Sequence, residues 1–372
     1  MSTDVARPAL AERIAAFVTD VVAPVAPAMA RGDGPHPKRI IEAAGEAGLA
    51  GMLTPIEYGG TGGTHGEFIE LIESIARADA STAVIVDVHL SVGTEPLIVF
   101  GNDDQKSRYL PRLASGAWLA AFALTEPAGG SDAAALQTRA VLEGDAYVLD
   151  GSKTFITSAG DADLYIVMAR TADGTRGISA FLVESSWPGV SAGRPQAKMG
   201  LRGSWTAELV LDSVRVPAAN RLGDEGIGFT VAMSALDSGR VGISAQAVGI
   251  AQGALDAAVA CLRRRGDAGI AVDATALADM EVRTVASRQL TRHAAALVDA
   301  GQRVTLDASI AKLFSTDTCV AVAQAAVDLC APDSAADDHP AAIRFRDAKA
   351  CQIYEGTNQI QRVVIARHVL HG

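Results

Sequence analysis

The chain has 372 residues, 49% hydrophobic and 20% charged, a length that calls for two or three packed units rather than one core. Its net charge of -11 argues against a nucleic-acid binder, which needs clustered Lys and Arg, while a few local cations and helix N-termini can still hold an anionic ligand. Met1–Ala26 mixes Asp, Glu and Arg and lacks the layout of a secretory signal, and no apolar run reads as long enough to span a membrane, so cytoplasmic residence is the expectation.

Residues 1–120 read as helical. Gly66–Ala78 places Phe68, Leu71, Ile72 and Ile75 on one face at helical spacing, and Asp104–Gly116 has the same character. The glycines of Tyr58–Gly63 mark a loop. From about Leu136 the period shortens. Thr138–Leu142, Ala146–Leu149, Leu164–Ala169, Ile178–Val183 and Leu209–Val216 are β-like runs, most of them divided by Gly-Asp, Asp-Gly or Pro-Gly turn signals. They predict an antiparallel β-domain over 121–222. The helical period returns in Leu236–Cys261, Leu277–Ala300 and Leu306–Leu329, which predict a bundle over 223–372. The expected class is therefore α+β, mainly α: a helical domain, a middle antiparallel β-domain and a C-terminal helical bundle.

The four cysteines, Cys261, Cys319, Cys330 and Cys351, form no CxxC pair and have no His cluster near them in sequence. They read as small buried hydrophobes in a reducing compartment, and no metal is expected. His89 and the other histidines are expected to be structural.

Five motifs stand in order along this frame: FALTEPAGGSD (Phe122–Asp132), KTFITSAG (Lys153–Gly160), KMGLRGSW (Lys198–Trp205), LDSGRVGISAQAVGIAQ (Leu236–Gln252) and DAKACQIYEGTNQIQRVVIARH (Asp347–His368). Together they resemble the acyl-CoA dehydrogenase family over nearly the whole chain. The resemblance implies oxidation of an acyl-CoA to its trans-2-enoyl thioester, with FAD taking the hydride and electron-transfer flavoprotein as the partner. No strand–GxGxxG–helix element suggests a nicotinamide instead. Two alternatives stand beside this reading: an acyl-carrier-protein thioester as substrate, or one subunit of a heteromeric dehydrogenase.

The residues make chemical sense of that implication. In the first motif, two glycines and a proline hold an irregular backbone, and Thr125 and Ser131 offer hydroxyls to a polar ring edge. The resemblance carries flavin contacts onto Phe122, Leu124, Thr125, Gly130 and Ser131, with Ser131 also near the thioester. In the second, alternation puts Phe155 and Thr157 on one side of a strand. Flavin contacts are implied over Phe155, Ile156 and Thr157, although many relatives have Trp and Asn where this chain has Phe155 and Ser158. In the last, Gly356 breaks a helix, Thr357 or Asn358 can cap the next, and Glu355 is set at the break. The resemblance makes Glu355 the base, Gly356 a substrate contact, and Thr357 and Gln359 FAD contacts. Asp237 and Arg240 read either as an i,i+3 ion pair or, by the resemblance, as substrate-binding residues of the thioester channel.

Two stretches depart from the family pattern. Arg263–Asp273 (RRRGDAGIAVD) lacks Gln-Phe-Gly, and Asp328–Asp333 (DLCAPD) stands where relatives have Gln-Leu-Leu-Gly-Gly. The resemblance assigns both to contacts with the FAD of a neighbouring subunit in a homodimer or homotetramer. Pro332 removes an amide donor, and Asp328 and Asp333 add repulsive charge toward a diphosphate. The expected cost is roughly 3–6 kcal/mol of FAD affinity, unless Arg263–Arg265 compensate or a related chain completes a heteromer.

Overall fold

The computed structural model describes residues 6–265 and 267–371, without side-chain placement for 6–9 and 267–273. Much of the departing stretch 263–273 therefore lies outside the described side chains.

Among the described residues seven α-helices come first: α1 (Ala6–Phe17), α2 (Ala23–Arg31), α3 (Pro37–Glu46), α4 (His65–Ala78), α5 (Ala80–Val88), α6 (Glu95–Phe100) and α7 (Asp103–Ala114). Helix α4 starts where the sequence supplies a capping box: Thr64 accepts from Glu67 N, and Glu67 reaches back to Thr64 N. Asn102 and Gln105 do the same for α7. Asp79 ends α4 and caps α5 through Thr82 N at 2.6 Å. A π-helical turn, His89–Thr94, joins α5 to α6 and is wholly buried. There His89 bridges Leu113 O and Ala120 N, each at 3.2 Å, and burial lowers its pKa to about 4. One ring nitrogen donates and the other accepts, so the neutral imidazole serves as a structural pin.

The middle of the chain is one eight-stranded sheet: β1 (Ala120–Ala123), β2 (Arg139–Glu143), β3 (Ala146–Thr157), β4 (Leu164–Arg170), β5 (Ile178–Glu184), β6 (Val190–Ala192), β7 (Thr206–Pro217) and β8 (Arg221–Leu222). Its spatial order is β6-β7-β3-β2-β4-β5-β8, with β1 beside β4. The predicted antiparallel pattern needs one correction, because β1 and β2 each pair with β4 in parallel. Four residues of β1 follow a helix too closely to display a strand period. They are nevertheless buried enough, as Ala-Ala-Phe-Ala, to sit inside the sheet.

Five helices close the molecule: α8 (Gly228–Arg265), α9 (Asp267–Asp299), α10 (Thr305–Leu329), α11 (Pro340–Cys351) and α12 (Asn358–His371). Helix α8 has 38 residues and runs roughly 57 Å. Its Gly, Ala and Ser positions let α4, α9, α10 and α11 pack against it closely. Gly249 lies against the Glu73 and Arg77 backbone, where no side chain would fit.

The reading of no membrane-length apolar run is corrected in its wording. By length and composition alone, Leu10–Arg31, Ala80–Phe100, Gly228–Arg265 and Thr305–Leu329 are long and apolar enough. Ala80–Phe100 and Gly228–Arg265 are largely covered by neighbouring elements and Thr305–Leu329 is half covered, and the three bury Asp87, Arg240 and Lys312, as packed helices do. The cysteine reading also changes. Cys261 at the end of α8 and Cys330 after α10 form a disulfide, and His339 Nε2 stands 3.7 Å from Cys261 Sγ. These three groups cluster as metal donors would. However, His339 Nδ1 accepts from Ala341 N at 3.2 Å, which places its proton on Nε2, the atom a metal would need. Cys319 and Cys351 are free and buried, as expected.

Candidate active site

Two clusters hold the residues singled out by sequence, and α5 with its following turn touches both. The first lies at the ends of β1 and β3. Thr154 N donates to Thr125 O at 2.8 Å, binding the FALTEPAGGSD loop to β3. Beneath it Lys153 and Glu126, both buried, pair at 2.7 Å. Lys153 also donates to Leu124 O, while Thr138 and Gln137 N donate to the Glu126 carboxylate. Burial favours the neutral form of Glu126, but Lys153 and these donors carry its pKa below the ordinary value. Neither residue is visible to a motif reading, since one charge of each sign in two separate strings gives no spacing signal.

Above this clamp the surface is open. Gly130 and Ser131 are exposed, Gly130 sits against Thr125, and Thr157 is half-buried. Strand β3 carries a bulge between Lys153 and Ile156, with Phe155 at φ 57°. Phe155 is thereby left 63% exposed, while Ile156 turns into the core. Past the bulge the alternation resumes: Phe155 and Thr157 are the more exposed residues on either side of the buried Ile156. Leu124 and Ile156 present only backbone groups, and Phe122 is half-buried on β1. The exposed aromatic, the hydroxyls of Thr125, Ser131 and Thr157, and the free glycine backbone are a donor set that fits the edge and face of a flavin ring.

The second cluster is built around Glu355. Helix α11 ends at Cys351, and Glu355 and Gly356 take left-handed backbone at φ 53° and 90° before α12 begins at Asn358. Thr357 Oγ1 accepts from Ile360 N at 3.3 Å, so Thr357 provides the side-chain cap. The turn is anchored from below. Lys312 donates to Gly356 O and to Asn358 Oδ1, each at 2.9 Å, and Gln361 donates to Gly356 O at 2.9 Å. Asn358 also donates to Thr316 and Asp317, and the Tyr354 hydroxyl donates to Gln246 Oε1. A non-glycine residue in left-handed backbone is strained, and these bonds hold it there.

The Glu355 carboxylate points down onto α8. A Cβ at Gly239 would collide with it, so α8 needs glycine at that point. Its Oε2 is sealed from solvent and has no hydrogen-bond partner. Burial raises the Glu355 pKa to about 8, against the opposing pull of Arg240 and Lys312. Burial likewise lowers Lys312 to about 8. Arg240 is paired with Asp237 at 2.6 Å, as one reading of that segment required, and Thr305 holds the other Asp237 oxygen at 2.6 Å. Arg240 Nε remains free of any partner. Gln359 is exposed on the first turn of α12. Lys312 escaped the sequence reading, although a lone Lys inside the apolar run Ser309–Phe314 was an available signal.

A half-buried carboxyl with one sealed, unpartnered oxygen, and an open ledge of hydroxyls, glycine backbone and an exposed aromatic, on a helix–sheet–bundle scaffold, fit the class of flavin-dependent thioester oxidoreductases. Comparison with known proteins gives the family. Residues 6–117, 121–214 and 226–370 match the N-terminal, middle and C-terminal domains of acyl-CoA dehydrogenase. The chain is 46% identical over 363 residues to an acyl-CoA dehydrogenase of Bacillus subtilis (strain 168), covering 96% of each. It is 41% identical to a short-chain specific acyl-CoA dehydrogenase of Clostridium acetobutylicum, covering 89% of each. Among solved structures, butyryl-CoA dehydrogenase from Megasphaera elsdenii superposes with TM-score 0.94 at 38% identity, over 100% of this chain and 99% of that one. The chain belongs to the acyl-CoA dehydrogenase family. It is an FAD-dependent oxidoreductase of acyl-CoA thioesters. These relatives favour CoA over a carrier-protein thioester, and a catalytic chain over a partner subunit.

Proposed function

We propose that this chain oxidises a short-chain acyl-CoA to its trans-2-enoyl thioester, with Glu355 taking the α-proton. The observation that carries the reading is the Glu355 carboxylate itself: fixed in a strained turn, with Oε2 sealed from water and without a partner. The α-hydrogen of a thioester is weakly acidic, so its base must be strong and dry. Desolvation makes Glu355 such a base, with a proton affinity matched to mildly alkaline pH. Arg240 and Lys312 keep the ionised form accessible, and the bonds from Lys312 and Gln361 to Gly356 O hold the turn still while the proton moves.

FAD supplies the hydride acceptor at this site. Phe122, Leu124, Thr125, Gly130, Ser131, Phe155, Ile156, Thr157, Thr357 and Gln359 are the residues assigned to hold it. Ser131, Asp237, Arg240 and Gly356 are assigned to the thioester. Short chain length is supported by the names of the relatives from Clostridium acetobutylicum and Megasphaera elsdenii. Electron-transfer flavoprotein is the proposed electron acceptor, and a structure described as an electron transferring flavoprotein of Acidaminococcus fermentans superposes with TM-score 0.95 at 38% identity.

The proposal includes cytoplasmic residence, no membrane and no nucleic acid. It also includes assembly as a homodimer or homotetramer, which the exposed apolar residues Val282, Phe314, Val363, Val369 and Leu370 support. Weak FAD binding by the isolated chain belongs here too. Arg265 is already committed to Leu329 O and Ala331 O, and Arg264 to Cys261, so neither is idle beside Asp328–Asp333. A heteromer with a related dehydrogenase would be the remedy if the singly expressed protein proves flavin-free. The test of the whole reading is Glu355→Gln: bound flavin retained, and bleaching by butyryl-CoA abolished. Bleaching at the native rate would refute it.

A further inference from the structure

We propose that the Cys261–Cys330 disulfide is a redox-sensitive staple between helices α8 and α10. It opens to two thiols in a reducing pool and closes when a low-molecular-weight disulfide oxidises them, with Cys261 as the sulfur that exchanges with that reagent.

The four cysteines divide by their surroundings. Cys319, inside α10, and Cys351, at the end of α11, are free and buried. Burial raises both thiols above the ordinary value, Cys351 to about 11. Thiols held protonated in this way are poor nucleophiles. Cys261 and Cys330 instead meet where the end of α8 passes the end of α10, and their sulfurs are bonded.

The two bonded sulfurs are unlike. Arg264 Nη2 donates to Cys261 Sγ at 3.3 Å, and His339 Nε2, which carries that ring's proton, stands 3.7 Å away. A thiolate on Cys261 is therefore met by one cation and one N–H donor. Cys330 Sγ faces the carbonyl oxygen of Ala257 at 3.6 Å, an acceptor that suits an S–H. Cys261 is also the less covered of the two, beside the exposed Arg263–Arg265.

On oxidation the Cys261 thiolate attacks one sulfur of the external disulfide, and one small thiol leaves. Cys330 then gives up its proton and attacks Cys261 Sγ in the mixed disulfide, and the second small thiol leaves. Two protein thiols and one small disulfide become one protein disulfide and two small thiols, which take the two protons. Reduction runs the same steps in reverse. In the cytoplasm proposed for this chain, such a bond forms and breaks rather than persists.

The staple joins points 69 residues apart on two helices that serve the Glu355 turn. Helix α8 presents Gly239 to the carboxylate, and α10 supplies Lys312 to Gly356 O. When the disulfide opens, Arg265 still ties the two ends, donating to Leu329 O at 2.7 Å and to Ala331 O.

The test equilibrates the protein with FAD in glutathione buffers from fully reduced to fully oxidised. After an acid quench, N-ethylmaleimide labels the free thiols in denaturant for mass spectrometry. All four cysteines should be labelled at the reduced end and two at the oxidised end, with Cys261 and Cys330 protected together. Over the same range the reduced protein should melt about 5 °C lower. Cys330→Ser should collect a glutathione adduct on Cys261, Cys261→Ser should leave Cys330 free, and Arg264→Met should slow closure about tenfold. Two labelled cysteines at every ratio would mean a permanent structural bond, and four at every ratio no bond; either overturns the proposal. So does opening without a change in melting. Equal adducts on the two serine variants would overturn the role of Cys261. The wild-type titration decides the rest even where a serine variant fails to fold.

Discussion

Glu126 and Glu355 are the same residue in two kinds of burial. Glu126 accepts from Lys153, Thr138 and the Gln137 amide, and its pKa falls below normal. Glu355 keeps an oxygen with no partner, and its pKa climbs to about 8. A carboxylate with every lone pair met is an anchor, because protonating it breaks bonds. One left dry and unmet is poised to take a proton. Burial alone therefore assigns no role; the hydrogen-bond inventory does.

The largest expected effect is on the reactive side. Glu355→Gln keeps the shape and removes the base, lowering the rate of flavin reduction by about 100- to 10,000-fold, as read by stopped-flow absorbance. On the anchoring side, Lys153→Met leaves the Glu126 carboxylate buried and unpaired. It should destabilise the fold by about 3–5 kcal/mol in denaturant unfolding, and loosen the Thr125–Ser131 loop with it. Gly239→Ala sharpens the contrast without touching either acid. Its methyl pushes the Glu355 carboxylate aside, and a misplacement of this kind costs about 100-fold in turnover. Thermal melting should show little change if the turn yields.

The smallest effect is a pH dependence of stability. Glu355 has a folded pKa above its unfolded value, so the folded state binds more protons between about pH 4.5 and 8. Its favourable contribution is complete below that window and is lost as pH rises through it. Glu355→Gln, lacking this loss, should melt at higher temperature than ligand-free wild type at pH 8, with the difference vanishing near pH 4.5. Equal differences at both pH values would contradict a raised pKa.

Much of this was legible in the sequence. The three-part order, the long helices of the bundle and the Glu355-Gly356 break follow from period and glycine placement, but the boundaries do not: α8 starts at Gly228 well before Leu236, α9 at Asp267 well before Leu277, and β3 runs past Leu149 to Thr157. Asp87, Lys153 and Lys312 were not singled out. Asp87 and Lys312 are lone ionisable residues in apolar runs, Lys153 opens a polar motif, and the groups they meet lie on other elements, so spacing is silent. The same distance hid the Cys261–Cys330 disulfide, 69 residues apart. The parallel pairing of β1 was hidden by its four-residue length, and the bulge that buries both Lys153 and Ile156 and exposes Phe155 has no signal in the run of residue types.

The most direct test of the central claim, that an unpartnered Glu355 is the base, is the pH profile of kcat/KM for butyryl-CoA in the FAD-loaded enzyme. A rise through an apparent pKa near 8 that disappears in Glu355→Gln is the predicted result. A rise already complete near the ordinary carboxylate range, or one that persists in the Gln variant, would contradict it.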